Sequence, residues 1–392
     1  MRKVSLWVGL GALLIGIMVA PGFSQGPPDF ARAVAAQEAH TDRLLGEPGV
    51  VGTAVGLTPD GRPAVLIFTE SPQVTGLPAR LDGIPTVVKV TGRFMALHHQ
   101  CGHDKPTPFT GDCPPPDGGG GGGGTTDCTS TTEECRPARI GQSSGSDRLI
   151  TINGSLYCTT GTLGARVSGD GAVYTLSNAH VYALEGSEPD GTVIVGDPIL
   201  QPGRVDLTDQ ACGSPQARQD AQIGTLADWV RIQFNNGTTC RPSDGETATC
   251  NKVDAAIAAV SSEDVGTATL ANGYGQPKST PLDVTASHLG LRVQKYGRTT
   301  ALTKGSLQAV NATVNVCYDI GCAKFIDQLV VDGSKGPFIK GGDSGSLLVG
   351  DGGGHDRKPV GLLFAGSMSG KTGIANRIGA VLDAFVVSID GE

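Results

Sequence analysis

The stretch Gly341-Gly342-Asp343-Ser344-Gly345-Ser346 is the most informative part of this sequence. A nucleophilic serine needs backbone N–H donors beside it, because they hold the oxyanion that forms when the serine attacks a carbonyl. Glycines around Ser344 let the backbone approach a substrate closely and adopt conformations that a Cβ would block. A plain glycine-rich hairpin is the competing interpretation, since the chain contains 59 glycines. The stretch therefore makes Ser344 a candidate nucleophile that needs support from elsewhere in the chain.

A candidate general base lies upstream of this stretch. A nucleophilic serine needs such a base, and the base needs an acid that orients it. The segment Thr175-Leu176-Ser177-Asn178-Ala179-His180-Val181 predicts a strand that runs into a histidine. The other histidines after residue 136 are His288 and His355, and neither has a comparable setting. His180 is the candidate base, with a structural histidine as the alternative.

The orienting acid is expected between His180 and Ser344. The segment Asn251-Lys252-Val253-Asp254-Ala255-Ala256-Ile257-Ala258 places a carboxylate at the start of an apolar strand. Burying a carboxylate is costly unless it is paired, so Asp254 is expected to have a partner. Asp220 is the second candidate, and a surface aspartate in a turn is the structural alternative for Asp254.

The N-terminus has the pattern of an export signal. Basic residues Arg2 and Lys3 precede an apolar run over residues 5–20, and small residues with Pro21 follow it. The run is shorter than the roughly 20 residues that span a bilayer, so it favours a cleaved signal peptide over a membrane anchor. Residues 1–24 are therefore predicted to be a signal peptide, and the chain to be secreted, extracellular or periplasmic, with no stable membrane insertion after cleavage.

The net charge and the cysteines restrict the partners and the compartment. A formal charge of −8 argues against nucleic acid or an anionic membrane surface as a partner. Ten cysteines in an exported chain predict disulfides. Their spacing suggests the pairs Cys101–Cys113, Cys128–Cys135, Cys240–Cys250 and Cys317–Cys322, which leaves Cys158 and Cys212. A zinc site formed by Cys101 with His98, His99 and His103 is the alternative for that region, although the spacing matches no usual ligand pattern.

Composition divides the rest of the chain into three parts. Residues 25–97 are predicted to form a small α/β domain, with a helix over residues 30–45, a hairpin over residues 50–69 and a third strand over residues 87–90. Residues 98–135 contain seven consecutive glycines, at positions 118–124, and are predicted to be a Cys/Pro/Gly-rich linker. Residues 136–392 show short apolar runs between turn residues, which favours a sandwich or a pair of barrels.

The three motifs together resemble those of a known family. The order His, Asp, Ser, with Ser-Asn-Ala-His, Val-Asp-Ala-Ala-Ile-Ala and Gly-Asp-Ser-Gly-Ser, resembles the trypsin-like serine peptidases over residues 136–386. Residues 297–305 are similar to a second-barrel hairpin of bacterial secreted members. Residues 161–166 resemble a bacterial subgroup related to the plant narrow-leaf peptidases. The resemblance implies a mainly β chymotrypsin-like fold, with two six-stranded β-barrels and a catalytic triad of His180, Asp254 and Ser344 at their junction.

The same resemblance implies further site residues. The backbone amides of Gly342 and Ser344 would form the oxyanion hole, and residues 360–366 would line the primary specificity pocket together with Phe338. The pocket would thus include Phe338, Ala365 and Gly366, and because Phe338 is not an acid we do not expect cleavage after lysine or arginine. Residues 139–141 only partly match an activation cleavage site, so no zymogen-type salt bridge onto Asp343 is expected. No metal or organic cofactor is implied.

The sequence therefore predicts a secreted serine endopeptidase that acts on protein or peptide substrates. An esterase or lipase is disfavoured, because Ser344-Gly345-Ser346 breaks the G-x-S-x-G pattern and the histidine precedes the serine. A catalytically slow peptidase-fold binding protein is the alternative, since motifs do not prove turnover. Residues 29–97 are expected either to assist folding or inhibit the peptidase, or to form an independent binding module on a flexible tether.

Overall fold

The computed structural model describes residues 28–96, 99–102, 128–152, 155–184, 193–207, 209, 212–234 and 250–392. Strands dominate these residues, so the predicted mainly β class is confirmed. The predicted signal peptide and most of the predicted linker lie outside the described residues. No helix among the described residues is long and apolar enough to cross a membrane.

The N-terminal unit, residues 28–102, contains a helix followed by short strands. Its elements are α1 (Pro28–Leu45), β1 (Val50–Leu57), β2 (Pro63–Thr69), β3 (Arg80–Leu81), β4 (Ile84–Val90), β5 (Phe94–Ala96) and β6 (His99–Gly102). An acidic residue in the first turn of α1 and a basic one in its last turn, Asp29 and Arg43, suit the helix dipole. The predicted helix, hairpin and third strand are confirmed. The predicted linker, however, begins with a strand, because β6 falls inside it.

The middle of the chain contains the strands that flank His180 and Asp254. Its elements are β7 (Ala138–Ile140), β8 (Ser143–Ser146), β9 (Ile150–Ile152), β10 (Ser155–Thr162), β11 (Ala165–Gly169), β12 (Ala172–Ser177), α2 (Ala179–Tyr182), β13 (Pro198–Leu200), α3 (Pro215–Asp220), β14 (Gln222–Trp229), β15 (Ala256–Val260) and β16 (Val265–Thr269). Most of these strands form one sheet in the order β11-β12-β15-β14-β13-β8-β10-β6.

The C-terminal part carries the loop of Ser344. Its elements are β17 (Arg292–Gly297), β18 (Ala301–Cys317), β19 (Cys322–Gly333), β20 (Leu347–Gly350), β21 (Pro359–Ser367), β22 (Thr372–Arg377), α4 (Ile378–Phe385) and β23 (Ser388–Ile389). The pairing order β17-β20-β21-β22-β19-β18 returns to its start, because β17 also pairs with β18. These strands thus form a closed ring. Closure of the middle sheet into a second six-stranded barrel stays a prediction.

The N-terminal unit shares a sheet with this ring. Strand β1 pairs antiparallel with β18, with Gly52 opposite Val314. A Cβ at Gly52 would lie 2.8 Å from Cγ1 of Val314, so glycine permits this close approach. Val55 and Ile67 of the N-terminal unit also belong to one buried apolar cluster with Leu307 of β18. Backbone hydrogen bonds and a common core therefore join the two parts, which argues against an independent tethered module.

Disulfides tie loops to these sheets. Cys128–Cys135 and Cys317–Cys322 are bonded as their spacing predicts, and Cys158 pairs with Cys212. The predicted pairs Cys101–Cys113 and Cys240–Cys250 involve residues outside the described part of the chain. The same holds for the side chains of the alternative zinc site.

Candidate active site

Two neighbouring strands bring His180 and Asp254 together. Strand β12 pairs antiparallel with β15, with Ser177 opposite Ala256. The C-terminal end of β12 therefore lies beside the N-terminal end of β15. His180 follows β12 in the short helix α2, and Asp254 precedes β15. Residues separated by 74 positions in the sequence are thus adjacent in the fold.

The Asp254 carboxylate holds the His180 side chain in a defined orientation. Nδ1 of His180 lies 2.6 Å from Oδ2 of Asp254, and the His180 backbone N–H donates to Oδ1 at 3.2 Å. Both side chains are fully buried. The Asp254 backbone is fixed as well, because its carbonyl accepts from the Asn178 side chain at 2.7 Å and its N–H donates to Asn376 at 3.0 Å. The predicted pairing partner of Asp254 is therefore His180.

Tyr318 is a site residue that the sequence did not single out. Its hydroxyl donates to Oδ2 of Asp254 at 2.9 Å. Its ring lies edge-on to the His180 ring, with centroids 5.7 Å apart. Tyr318 follows Cys317, so the Cys317–Cys322 disulfide holds the hairpin tip that carries it. A tyrosine beside a pair of nearby cysteines was the available signal in the sequence. The residues around Tyr318 give no indication that it contacts Asp254.

Ser344 lies in the loop before β20, next to the end of β12. Its Oγ donates to the Phe364 carbonyl at 3.2 Å, and its own carbonyl accepts from the Thr162 N–H at 2.8 Å. The following Gly345 has a φ of 94°, and a Cβ there would lie 2.3 Å from Oγ of Ser177. Glycine is therefore required for the loop to approach the strand that leads to His180.

The backbone around Ser344 offers two N–H groups. Gly342 has a φ of 94°, which favours glycine. The N–H groups of Gly342 and Ser344 donate to no acceptor among the residues that the structure describes. Thr162 anchors this loop from the middle sheet, because its Oγ1 donates to the Gly342 carbonyl at 2.7 Å. Two unsatisfied donors beside a serine hydroxyl can stabilise an oxyanion.

A buried ion pair supports the same loop. Nζ of Lys295 lies 3.2 Å from Oδ2 of Asp343, and both side chains are fully buried. Burial lowers the pKa of Lys295, and the negative charge of Asp343 opposes that shift. Asp343 also accepts from the backbone N–H groups of Thr299, Thr300 and Lys340. The sequence analysis predicted no zymogen-type salt bridge onto Asp343, and it did not identify Lys295 as the partner of Asp343. The available signal was a lysine within an apolar strand.

The remaining predicted site residues occupy different positions. Ala365 and Gly366 lie on β21, next to the Phe364 carbonyl that Ser344 contacts. Phe338 is fully buried, and its ring packs against Gly373 in the apolar core of the C-terminal ring. Asp220, the second candidate acid, is exposed at the end of α3 and accepts a hydrogen bond from Gln216 at 2.8 Å. His288 and His355 contact each other, with ring centroids 5.4 Å apart.

Comparisons with known proteins agree with part of this description. A family model described as the Nal1 C-terminal domain matches residues 254–390, less than half of the chain, which agrees with the resemblance to narrow-leaf-type peptidases. None of the curated proteins matches significantly.

Solved structures that align with the chain include proteases. Thermobifida fusca Protease A is 15% identical, with 65% of this chain and 98% of that chain covered and a TM-score of 0.39. Nocardiopsis protease is 16% identical, with 64% and 97% covered and a TM-score of 0.38. A glutamic acid specific serine protease is 18% identical, with 62% and 98% covered and a TM-score of 0.36. These TM-scores all lie below 0.5.

Proposed function

We propose that this protein is a secreted serine endopeptidase of the chymotrypsin-like type, with His180, Asp254 and Ser344 as its catalytic triad. The observation that carries the proposal is the buried His180–Asp254 pair with its 2.6 Å contact, in a fold that brings the Ser344 loop to the same strand end. A histidine whose Nδ1–H is held by a carboxylate presents Nε2 as a proton acceptor. This is the arrangement that activates a serine hydroxyl.

The proposed reaction is acyl transfer to water. Nε2 of His180 takes the proton from Oγ of Ser344 as Oγ attacks the substrate carbonyl carbon. Asp254 stabilises the imidazolium that forms, and Tyr318 and the His180 backbone N–H hold that carboxylate in place. The imidazolium then protonates the leaving amine, and water hydrolyses the acyl-enzyme. The hydroxyl of Ser344 has to leave the Phe364 carbonyl for this step, a rotation about one side-chain bond.

The proposed oxyanion hole consists of the N–H groups of Gly342 and Ser344. Asp343 lies between these two residues in the chain. Its hydrogen bonds and its ion pair with Lys295 therefore hold the loop in place. Donors that are held in place before the reaction stabilise the developing charge without reorganising. Lys295 therefore supports the oxyanion hole through Asp343 without contacting the substrate.

Export is the second part of the proposal. It is supported by the signal-like residues 1–24 and by the disulfides Cys128–Cys135, Cys158–Cys212 and Cys317–Cys322. Disulfides persist in oxidising compartments outside the cytosol. The acidic charge of −8 argues against nucleic acid as a partner.

A catalytically slow binding protein remains the second candidate, and one observation favours it. The side chain of Ser344 has no exposed surface, and that of His180 has none either. A peptidase has to present its nucleophile to a substrate, so the observed conformation is closed to one.

Digestion of a peptide library by the purified full chain tests the proposal. Ser344→Ala removes one oxygen and should lower kcat by about 10⁶-fold, because members of a triad act as a unit. The matched control is Ser262→Ala, an exposed serine remote from the site, which should keep wild-type activity. Equal cleavage by the wild type and Ser344→Ala would show that Ser344 is not the nucleophile.

A further inference from the structure

The peptide bond between Gly341 and Gly342 carries one of the two proposed oxyanion donors, the N–H of Gly342. In a trans peptide the C=O and the N–H point in opposite directions. The contact that holds the Gly341 carbonyl therefore also decides where the Gly342 N–H points. In the structure, Oγ1 of Thr299 donates to that carbonyl at 2.6 Å. The Thr299 hydroxyl thus sets the direction of the donor.

This peptide needs such a contact, because both of its residues are glycines. Gly342 has a φ of 94°, and glycine populates both signs of φ. Gly341 precedes it, so no Cβ on either side restricts rotation of the peptide plane. Rotation by half a turn would point the Gly341 carbonyl at the substrate, where its oxygen would repel the oxyanion. Holding this carbonyl therefore keeps the N–H of Gly342 in position.

The Thr299 hydroxyl is held in turn by Arg298. Nη1 of Arg298 donates to Oγ1 of Thr299 at 3.2 Å, and the same Oγ1 donates to Gly341. A hydroxyl has a single proton and rotates to suit its partners, whereas a guanidinium only donates. Because Nη1 cannot accept the hydroxyl proton, it directs that proton toward the carbonyl of Gly341.

Asp206 fixes the guanidinium of Arg298. Nε of Arg298 donates to Oδ2 of Asp206 at 2.9 Å, and Nη2 donates to Oδ1, which makes the pair bidentate. Both side chains are buried, and Asp206 belongs to a short 3-10 helix, Arg204–Asp206, that follows β13. A bidentate pair holds the guanidinium plane in one orientation, which a lysine in its place could not do.

Arg298 also contacts Gly342 directly and through Thr162. Its backbone N–H donates to Oγ1 of Thr162 at 3.0 Å, and this hydroxyl donates to the Gly342 carbonyl. A Cβ at Gly342 would lie 3.0 Å from Cδ of Arg298 and 2.5 Å from Oγ1 of Thr299, so glycine permits this close packing. The carbonyls of Gly341 and Gly342 are thus both held by threonine hydroxyls that accept hydrogen bonds from Arg298.

We propose that Asp206, Arg298 and Thr299, here called the carbonyl clamp, are positioning residues that keep the N–H of Gly342 directed at the oxyanion. Thr299 acts through the Gly341 carbonyl, and Arg298 and Asp206 act through Thr299. The proposal rests on the proposed function, because the oxyanion forms only if a serine attacks the substrate carbonyl. It assigns a role in the reaction to residues outside the triad.

The carbonyl clamp and the Lys295–Asp343 ion pair hold different parts of the loop. Asp343 accepts from the backbone N–H of Thr299 at 2.9 Å, whereas the clamp uses the Thr299 hydroxyl. A substitution of the Thr299 side chain therefore keeps the backbone contact to Asp343. Such a substitution tests the clamp without breaking the ion pair.

Steady-state kinetics of Thr299→Val in the full chain tests the clamp. The change replaces the hydroxyl with a methyl group at an exposed position. Removing an oxyanion donor outright costs about 10²–10³-fold in kcat, so a donor that is left free to rotate should cost about tenfold or more. KM should stay nearly unchanged, because the interaction forms in the transition state. Thr299→Ser keeps the hydroxyl and should restore most of kcat.

Inhibition by a peptide aldehyde gives a readout that a general loss of structure would not give. The hemiacetal that the aldehyde forms with Ser344 carries an oxygen where the oxyanion lies, so its Ki should rise by the factor by which kcat/KM falls. Thr86→Val is the matched control, because it removes a hydroxyl that donates to the Pro78 carbonyl in the N-terminal unit. It should keep kcat, KM and Ki. An unchanged kcat in Thr299→Val, or a loss that Thr299→Ser does not restore, would overturn the clamp.

A double-mutant cycle tests whether Arg298 acts through Thr299. Arg298→Lys keeps a positive charge opposite Asp206 but loses the planar fork, so it should lower kcat. In the Thr299→Val background it should lower kcat no further, because the hydrogen bond that it disturbs is already absent. Independent losses that multiply in the double variant would overturn the proposed order of the clamp.

Fluorophosphonate labelling of Ser344 in the same wild-type sample separates this proposal from the proposed function. A labelled and active wild type, together with an unchanged Thr299→Val, would overturn the clamp and leave the proposed function standing. A wild type that is neither labelled nor active on the peptide library would overturn both.

Discussion

At the residue scale, the site depends on how the charge of Asp254 is held. Its carboxylate lies 2.6 Å from His180 Nδ1. It also accepts hydrogen bonds from the His180 backbone N–H at 3.2 Å and from the Tyr318 hydroxyl at 2.9 Å. A buried carboxylate is stable only when it is hydrogen-bonded and paired in this way. The apolar strand after Asp254 allowed its burial to be predicted from sequence, whereas Tyr318 joins the site only through folding of a distant hairpin.

Tyr318→Phe should lower kcat about tenfold and leave KM nearly unchanged. The change removes one hydrogen bond to a charged group, worth about 1.5–3 kcal/mol, and Tyr318 acts through Asp254. Steady-state kinetics on a peptide that the wild type cleaves measures both constants. Tyr174→Phe, a half-buried tyrosine on β12, serves as the control and should keep both. A wild-type kcat in Tyr318→Phe would show that the hydroxyl does not position Asp254.

Lys295→Met should reduce the free energy of unfolding by about 3–5 kcal/mol. Removing one partner of a buried ion pair leaves the other charge unpaired, here Asp343. Urea denaturation measures the loss, and the double variant Lys295→Met/Asp343→Asn should recover part of it. A loss below about 1 kcal/mol in the single variant would mean that the pair does not support the loop.

The rate should fall on the alkaline side before pH reaches the ordinary lysine pKa of 10.5. Because burial lowers the pKa of Lys295, this side chain loses its proton in the folded protein below that value. Asp343 then lacks its counter-charge, and the loop of Gly342 and Ser344, the proposed oxyanion hole, loses its support. Measuring kcat/KM against pH, with circular dichroism to confirm the fold at each point, checks this. A rate that stays flat up to pH 10.5 would contradict the role of the ion pair.

At the element scale, strand pairing converts sequence motifs into one site. The pairing of β12 with β15 places the residues after one strand beside the residues before the other. The sequence showed both strands through their apolar runs, whereas the prediction that His180 and Asp254 meet came from the resemblance to trypsin-like peptidases. The pairing of β5 with β21 could not, because three residues in an irregular region give no periodic signal.

Loss of each of two disulfides should have unequal effects on stability. In the chain-entropy account, a loop of 5 residues, as between Cys317 and Cys322, contributes about 2 kcal/mol. A loop of 54 residues, as between Cys158 and Cys212, contributes about 4 kcal/mol. Urea denaturation of the two double-alanine variants measures this. The variant without Cys317–Cys322 should lose more activity than the variant without Cys158–Cys212, because the short loop carries Tyr318. Equal loss of activity in the two variants would contradict that role of Tyr318.

At the scale of the whole molecule, the N-terminal unit shares a sheet and a buried core with the C-terminal strands. Strand β1 extends the C-terminal sheet through β18, and the two parts share a buried apolar cluster. Composition predicted a boundary near residue 97, because the glycine-rich region after it is so distinct, and this boundary stays a prediction. Composition could not predict that β1 pairs with β18, because the sequence of a strand does not indicate which distant strand it will pair with.

The central claim is that Ser344 is a nucleophile activated by His180, and covalent labelling tests it most directly. The full chain is treated with a fluorophosphonate, digested and analysed by mass spectrometry. We expect the phosphonate adduct on Ser344 in the wild type and its loss in His180→Ala, because the hydroxyl then lacks its base. An adduct on another serine, or equal labelling of Ser344 in His180→Ala, would contradict the claim.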